Sequence, residues 1–65
     1  MTRLKFYRLQ AGLTQEEVAR QLEVTQSALS LWERGINTPL AKYRKKLRAL
    51  YHATEEELFG TEIEK

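Results

Sequence analysis

The chain has 65 residues and a net charge of +2, and it contains no cysteine. The lack of cysteine excludes disulfide scaffolds, cysteine nucleophiles and thiolate zinc sites. No apolar run approaches the roughly 20 residues of a membrane span, and the N-terminus lacks the apolar core of a signal peptide. We therefore expect one small cytoplasmic domain, which at this length would bury only about 60% of its unfolded surface and would benefit from a partner subunit.

Charge is distributed unevenly along the chain. Residues 1–48 carry ten lysines and arginines against four glutamates, whereas residues 49–65 carry one lysine against five glutamates. The first region suits a polyanion, while the second would be repelled by phosphates. The two regions are expected to face different neighbours.

The first two predicted helices follow each other closely. Helix 1 should run over residues 2–10. Gly12 should terminate it, because glycine readily adopts the positive φ of a C-terminal cap. Helix 2 follows at once, since Thr14 and Glu17 have the spacing of a capping box. One face of helix 2 is apolar and comprises Val18, Ala19 and Leu22. Ala19 is small enough to let two helices cross closely at that point.

Helix 3 is predicted to begin after Thr25, a favourable N-cap, and to run to about Arg34 before Gly35. At about 100° per residue one face is apolar, and it holds Ala28, Leu29 and Trp32. The opposite face is largely hydrogen-bonding and holds Gln26, Ser27, Ser30, Leu31 and Arg34. Because only a short turn separates helices 2 and 3, they must meet at a sharp corner. A polar helix front supported from behind is what a probe of the DNA major groove requires.

Helix 4 is expected after a loop at residues 36–38. Thr38 would be its N-cap and Pro39 its first residue, because proline has no N–H to leave unsatisfied there. The helix should last to about Tyr51, with His52 in the following turn. Thr54 and Glu57 then repeat the capping-box spacing. They start a short helix 5, which should end at residue 59 before a glycine, and residues 61–65 are expected to form a frayed tail.

The whole pattern resembles the Cro/phage-repressor (Xre-type) helix-turn-helix proteins over residues 4–58. The residues that carry the resemblance are Leu4, Tyr7, Arg8, Gly12, Leu13, Thr14, Gln15, Val18, Ala19, Leu22, Val24, Thr25, Leu29, Ser30, Trp32, Glu33, Gly35 and Pro39. Glu23 departs from the family, which usually has glycine there at positive φ; a residue with a β-carbon costs roughly 1 kcal/mol. The resemblance implies an all-α, five-helix repressor-like domain over residues 1–60 that binds double-stranded DNA as a homodimer.

The front of helix 3 supplies the candidate base contacts. Gln26, in the exposed first turn, can offer its amide N–H and carbonyl to N7 and N6 of adenine. Ser27 and Ser30 can contact bases or phosphates, and Leu31 can touch a thymine methyl group. The alternative is that all four are solvated residues of a surface helix. The surrounding motif favours base contact for Gln26 and Ser27 and leaves the other two open.

Contacts to phosphates should hold helix 3 in register. The resemblance implicates Gln15 at the N-terminus of helix 2, where free backbone N–H groups favour an anion, and residues just beyond helix 3. Lys42, one turn into helix 4, is the basic residue best placed to reach a phosphate. The candidate backbone contacts are Gln15, Thr25, Arg34, Asn37, Thr38 and Lys42.

Helix 4 carries five basic residues in the seven-residue run KYRKKLR at positions 42–48. The apolar spacing should turn inward Tyr43, Leu47 and Leu50, and should leave largely exposed Lys42, Lys45, Lys46 and Arg48. A solvated helix face explains Lys46 and Arg48 without any ligand. Arg44 lies where relatives tend to have an apolar residue, and its role is left open.

The resemblance also implies that Arg8 and Glu33 form a buried or half-buried ion pair between helix 1 and the end of helix 3. The alternative is two unrelated surface charges, which would contribute little to stability. Trp32 is expected in the core beside them.

Catalysis finds little support in the sequence. His52 is the only histidine, and helix capping explains Glu55, Glu56 and Glu57 better than a metal site without a second nitrogen or sulfur ligand. There is no glycine-rich phosphate loop and no activated serine. We expect neither enzymatic activity nor a cofactor or metal.

Two classes of function remain. The first is a sequence-specific transcription regulator, a homodimeric repressor acting on a pseudo-palindromic operator. A phage-type repressor, a restriction-modification controller and an antitoxin autoregulator would all fit. The second is a protein-interaction module or antitoxin-type protein that docks a partner protein through Leu58, Phe59 and Ile63. These three residues could equally complete the core or form the dimer interface.

Overall fold

The computed structural model describes residues 1–60 of the chain, and this range contains five helices. Their bounds are Arg3–Gln10 for α1, Gln15–Leu22 for α2, Gln26–Glu33 for α3, Ala41–Tyr51 for α4 and Glu55–Phe59 for α5. No strand occurs in this range, which confirms the predicted all-α fold. The predicted tail at residues 61–65, with Ile63, lies outside the described residues.

Threonine side chains cap the N-termini of four of these helices. In each case the hydroxyl oxygen accepts a hydrogen bond from the backbone N–H three residues later, and the caps are Thr2, Thr14, Thr25 and Thr54. Both capping boxes predicted from the sequence are present, with the Glu17 and Glu57 carboxylates accepting from the backbone N–H of their caps. Each cap satisfies an otherwise free backbone donor, which explains why these helix starts agree with the sequence.

Helix α4 begins later than predicted. Leu40 is its N-cap and makes no side-chain capping hydrogen bond, so the assignment of Thr38 as cap and Pro39 as first helical residue is wrong. Pro39 is buried in the preceding connection, and its carbonyl accepts a 2.7 Å hydrogen bond from Arg44 Nη1. This contact holds the connection in place, and Leu40 is still extended, with φ −64° and ψ 161°.

The core lies where the inward faces of all five helices meet. Its buried residues are Leu4, Val18, Ala19, Leu22, Leu29, Leu47, Tyr51 and Leu58. The predicted apolar face of α2 is therefore confirmed. Trp32 is half-buried and packs against this core, with its ring centroid 5.5 Å from that of Tyr43.

Helices α4 and α5 are joined by an ion-pair cluster centred on Glu55. Arg48 Nη1 donates to one carboxylate oxygen, and Arg44 Nε lies 2.9 Å from the other without the alignment of a hydrogen bond. Arg44 thus links α4 both to α5 and to the carbonyl of Pro39. The expectation that Arg48 is largely exposed is wrong, because its side chain is only 34% exposed and faces Glu55. The acidic and basic regions therefore contact each other at this point.

Among residues 1–60, no helix combines the length and the apolar character that crossing a membrane requires.

The corner between α2 and α3 turns at Glu23, which adopts the left-handed conformation with φ 61° and ψ 43°. The backbone N–H groups of Glu23 and Val24 donate to the carbonyls of Arg20 and Ala19 at 3.2 and 3.0 Å. The turn is therefore retained although its left-handed residue carries a β-carbon. The strain expected from the sequence is located at this residue.

Replacing Glu23 with glycine should stabilise the domain by about 0.5 to 1 kcal/mol. The β-carbon strain removed, about 1 to 2 kcal/mol, exceeds the entropy that glycine adds to the unfolded chain, about 0.4 to 1 kcal/mol. Urea unfolding followed by circular dichroism measures the difference. Glu23→Ala is the matched control, because it removes the same carboxylate and keeps the β-carbon; equal stability of the two variants would contradict the assignment of strain.

Candidate nucleic-acid interface

The front of α3 and the first residue of α2 together form a shallow, open groove. It is lined by Gln15, Gln26, Ser27, Ser30, Leu31 and Arg34. All four residues proposed from the sequence to contact bases lie in this groove, together with two of those proposed to contact phosphates. None of the six is buried, and Gln26, Ser27 and Arg34 are exposed to solvent.

Helix α3 is braced from behind by the core. Leu29 is fully buried, and Trp32 packs against Tyr43. The helix begins at the Thr25 cap, and Gly35 follows its end with φ +77°. Because both ends and the back face are fixed, the eight-residue helix presents its front as a rigid surface.

The remaining candidates for phosphate contact lie outside this groove. Thr25 is exposed at the N-cap of α3, where its hydroxyl oxygen already accepts from the Ala28 N–H at 3.1 Å. Asn37 and Thr38 are exposed in the connection after α3. Lys42 is exposed on α4, with Nζ 5.0 Å from the centre of the Tyr43 ring. These four residues do not line one common pocket. Contacts to phosphates do not require one, because phosphates are spaced along the whole duplex.

Arg8 and Glu33 form an ion pair in the interior of the domain. Arg8 Nε donates to Glu33 Oε2 at 2.7 Å, and the two side chains are 9% and 1% exposed. Arg8 Nη1 also donates to the carbonyl of Leu13 at 2.8 Å, and the Thr2 hydroxyl donates to the backbone carbonyl of Glu33. The pair therefore joins α1, the connection to α2 and the C-terminal end of α3.

The ion pair is connected to the groove through two glutamines. Gln15 Nε2 donates to Glu33 Oε1 at 3.0 Å. Gln26 Nε2 in turn donates to Gln15 Oε1 at 3.4 Å. We call the residues Arg8, Glu33, Gln15 and Gln26 the amide relay. No pattern in the sequence indicates this connection, because it joins residues of α2 and α3 that come together only in the folded domain.

Tyr51 packs beside the ion pair from α4. Its hydroxyl is buried and makes no hydrogen bond within residues 1–60. Burial, and secondly the negative charge of Glu33, raise the pKa of Tyr51 well above its usual range, while Arg8 opposes this effect. Tyr51 therefore remains a neutral phenol at physiological pH and does not compete with Glu33 for Arg8.

The carboxylates in the first turn of α2 are both engaged locally. Glu17 accepts from the Thr14 N–H at 2.8 Å, and this backbone hydrogen bond is the main reason why the pKa of Glu17 is lowered. Glu16 lies 3.7 Å from Arg20 in an exposed pair. These contacts partly offset two negative charges beside Gln15.

Comparisons with known proteins agree with this arrangement. The sequence model of the helix-turn-helix family matches residues 4–58. A protein of Archaeoglobus fulgidus named as an uncharacterized HTH-type transcriptional regulator is 31% identical over 58 residues, which cover 89% of this chain and 83% of that protein. No solved structure matches the chain. The chain belongs to the helix-turn-helix family, in the Cro/phage-repressor (Xre-type) group that its sequence resembles.

Removing the charge of Arg8 should destabilise the domain severely. We expect Arg8→Met to lose about 3 to 5 kcal/mol, because the Glu33 carboxylate would remain buried without its counter-ion. Thermal and urea unfolding measure the loss. Arg20→Met is the matched control, since its partner Glu16 is exposed; this variant should lose less than about 1 kcal/mol. A loss that small for Arg8→Met would contradict coupling through the buried pair.

Proposed function

We propose that the protein is a sequence-specific, double-stranded DNA-binding transcription regulator. The observation that carries this proposal is the cluster of Gln26, Ser27 and Ser30 on the accessible front of a helix whose back is fixed in the core. Membership of the helix-turn-helix family supports it, because the second helix of that motif is the one placed in the major groove. In this chain that helix is α3.

The proposed base contacts are those in the groove. Gln26, at the exposed N-terminal turn of α3, would pair with adenine through its amide. Ser27 and Ser30 would donate or accept through their hydroxyls, and Leu31 would contact a thymine methyl group. Because a hydroxyl pairs with several base edges, the preferred sequence depends most on Gln26.

The proposed phosphate contacts come from α2, from both ends of α3, from the connection that follows it and from α4. Gln15 lies at the N-terminus of α2, where backbone N–H groups favour an anion. Thr25 and Arg34 flank α3, and the remaining candidates, Asn37, Thr38 and Lys42, lie on the following connection and on α4. Such contacts would set the register of α3 without reading the sequence.

We further propose that the protein acts as a homodimeric repressor without enzymatic activity. Two copies would place their α3 helices in successive major grooves of a pseudo-palindromic operator, with half-sites about one helical turn apart. A chromosomal operator would place the protein in the cytoplasm.

The packing of α5 argues against the alternative of a partner-docking surface. Leu58 is only 3% exposed and belongs to the core, and Phe59 is half-buried against it. Ile63 lies outside the described residues. Two of the three residues that would have formed the docking surface therefore complete this domain instead.

Selection of bound fragments from a random duplex pool should yield an enriched site, and Gln26→Ala should weaken binding to that site. We expect a loss of about 1 to 3 kcal/mol, the usual contribution of one bidentate base contact. Binding to random duplex should change little. Gln21→Ala is the matched control, because Gln21 is an exposed glutamine of α2 outside the groove. Equal losses on enriched and random duplexes would contradict base reading by Gln26.

Binding to the enriched site should depend steeply on salt. Neutralising roughly six to ten phosphates would lower the affinity by about 10³ to 10⁵ between 50 and 200 mM salt. Lys42→Ala should reduce the slope of log affinity against log salt by about one, whereas Lys46→Ala should leave it unchanged. Fluorescence anisotropy with a labelled duplex measures these slopes, and an affinity independent of salt would contradict a phosphate-contacting interface.

A further inference from the structure

We propose that Arg44 is a positioning residue, which holds the connection between α3 and α4 in the conformation that presents Asn37 and Thr38 to the DNA backbone. This inference rests on the proposed function, since it concerns two of the proposed phosphate contacts. It is carried by the two contacts of the Arg44 guanidinium, one to the carbonyl of Pro39 and one to Glu55.

The connection is anchored unevenly along its length. At its start, two successive backbone N–H groups donate to the carbonyl of Leu31, at 3.0 and 3.5 Å. At its end, Pro39 has no N–H to donate and Leu40 makes no side-chain capping hydrogen bond. Within residues 1–60, the 2.7 Å bond from Arg44 Nη1 to the Pro39 carbonyl is the one side-chain hydrogen bond to this connection. The burial of Pro39 and this bond therefore fix the stretch just after Thr38.

The guanidinium of Arg44 is itself held from α5. Its Nε lies 2.9 Å from Glu55 Oε2, and the Arg44 side chain is only 29% exposed. Because the guanidinium is planar and its donors have fixed relative directions, holding Nε beside Glu55 also fixes the direction of Nη1. A charged donor makes a stronger hydrogen bond to a carbonyl than a neutral donor does. The apolar side chain that the family resemblance leads one to expect at this position could make neither contact.

The consequence for the phosphate contacts follows from the geometry of proline. Each peptide group is planar, and the proline ring fixes φ at about −65°. Only one soft dihedral, ψ of Pro39, therefore separates the peptide group held by Arg44 from the one that joins Thr38 to Pro39. Asn37 and Thr38 are exposed, and ordering them costs less on binding when the backbone beside them is already fixed. Loss of Arg44 should thus weaken DNA binding without the loss of any phosphate contact by Arg44 itself.

Arg48 provides a matched control on the same helix. Its Nη1 donates to the other carboxylate oxygen of Glu55, and its side chain is 34% exposed, close to the value for Arg44. Within residues 1–60 it makes no hydrogen bond to the connection. Arg44→Met and Arg48→Met therefore remove the same charge from the same carboxylate, and only the first releases the carbonyl of Pro39.

Fluorescence anisotropy with the enriched duplex and with random duplex compares these two variants. We expect Arg44→Met to bind both duplexes about threefold to tenfold more weakly than Arg48→Met does, the range for loss of one hydrogen bond. The loss should be equal on the two duplexes, because phosphate contacts carry no sequence information. The slope of log affinity against log salt should be the same for both variants. A phosphate contact by Arg44 itself would instead lower the slope of Arg44→Met by about one.

A double-variant cycle tests whether the loss acts through the connection. Asn37→Ala combined with Thr38→Val removes both proposed phosphate-contacting groups and should weaken binding on its own. In that background Arg44→Met should add less than about a twofold loss, since the groups that it positions are already absent. Destabilisation of the domain alone would add its full effect in either background.

Thermal melts establish that each variant is folded at the temperature of the binding assay. If Arg44→Met does not fold, Arg44→Lys and Arg48→Lys replace the pair in the same measurements. A single ammonium cannot reproduce the two contacts of the guanidinium, although it keeps the charge.

The outcomes separate the two proposals. If the wild type enriches no site, the proposed function itself fails. Positioning by Arg44 is overturned, and DNA binding by α3 stands, if the Arg44 variant binds no more weakly than its Arg48 control, has a lower salt slope, or keeps its full effect in the cycle. The same holds if removing the groups of Asn37 and Thr38 leaves binding unchanged. A larger loss for the Arg44 variant that disappears in the cycle, with matched salt slopes, supports the proposal.

Discussion

The buried contact between Arg8 and Glu33 is the constraint on which the rest of the domain depends. Removing two ions from water is unfavourable unless their remaining donors and acceptors find partners. Here the Glu33 carboxylate also accepts from Gln15, its backbone carbonyl accepts from Thr2, and Arg8 donates further to the carbonyl of Leu13. Each of these partners belongs to a different part of the chain. Satisfying the pair therefore fixes α3 relative to α1 and to the start of α2.

This arrangement makes the interior and the candidate interface parts of one hydrogen-bonded system. Gln15 contacts the buried carboxylate on one side and Gln26 on the other. A side chain that would otherwise rotate freely at the surface is thereby directed from within.

The basic residues of α4 show that charge along the sequence differs from charge available at the surface. Arg44 and Arg48 are both directed towards Glu55, and Arg44 also holds the carbonyl of Pro39. Their positive charge is used to join α4 to α5 and to the preceding connection. Lys42 remains exposed. Because Arg44 and Arg48 are engaged with Glu55, a count of basic residues overstates the positive charge available at the surface.

The sequence by itself determined the features whose causes are local. Threonine caps act over three residues and apolar faces repeat within a helix, so the starts of α2, α3 and α5 and the front of α3 could be predicted. Only the tertiary structure decided the start of α4 after a buried Pro39, the role of Arg44, and the link from Gln15 to Glu33. The last of these joins residues 18 positions apart. No periodicity or capping pattern encodes such a contact, because it exists only once the packed core has brought α2 and α3 together.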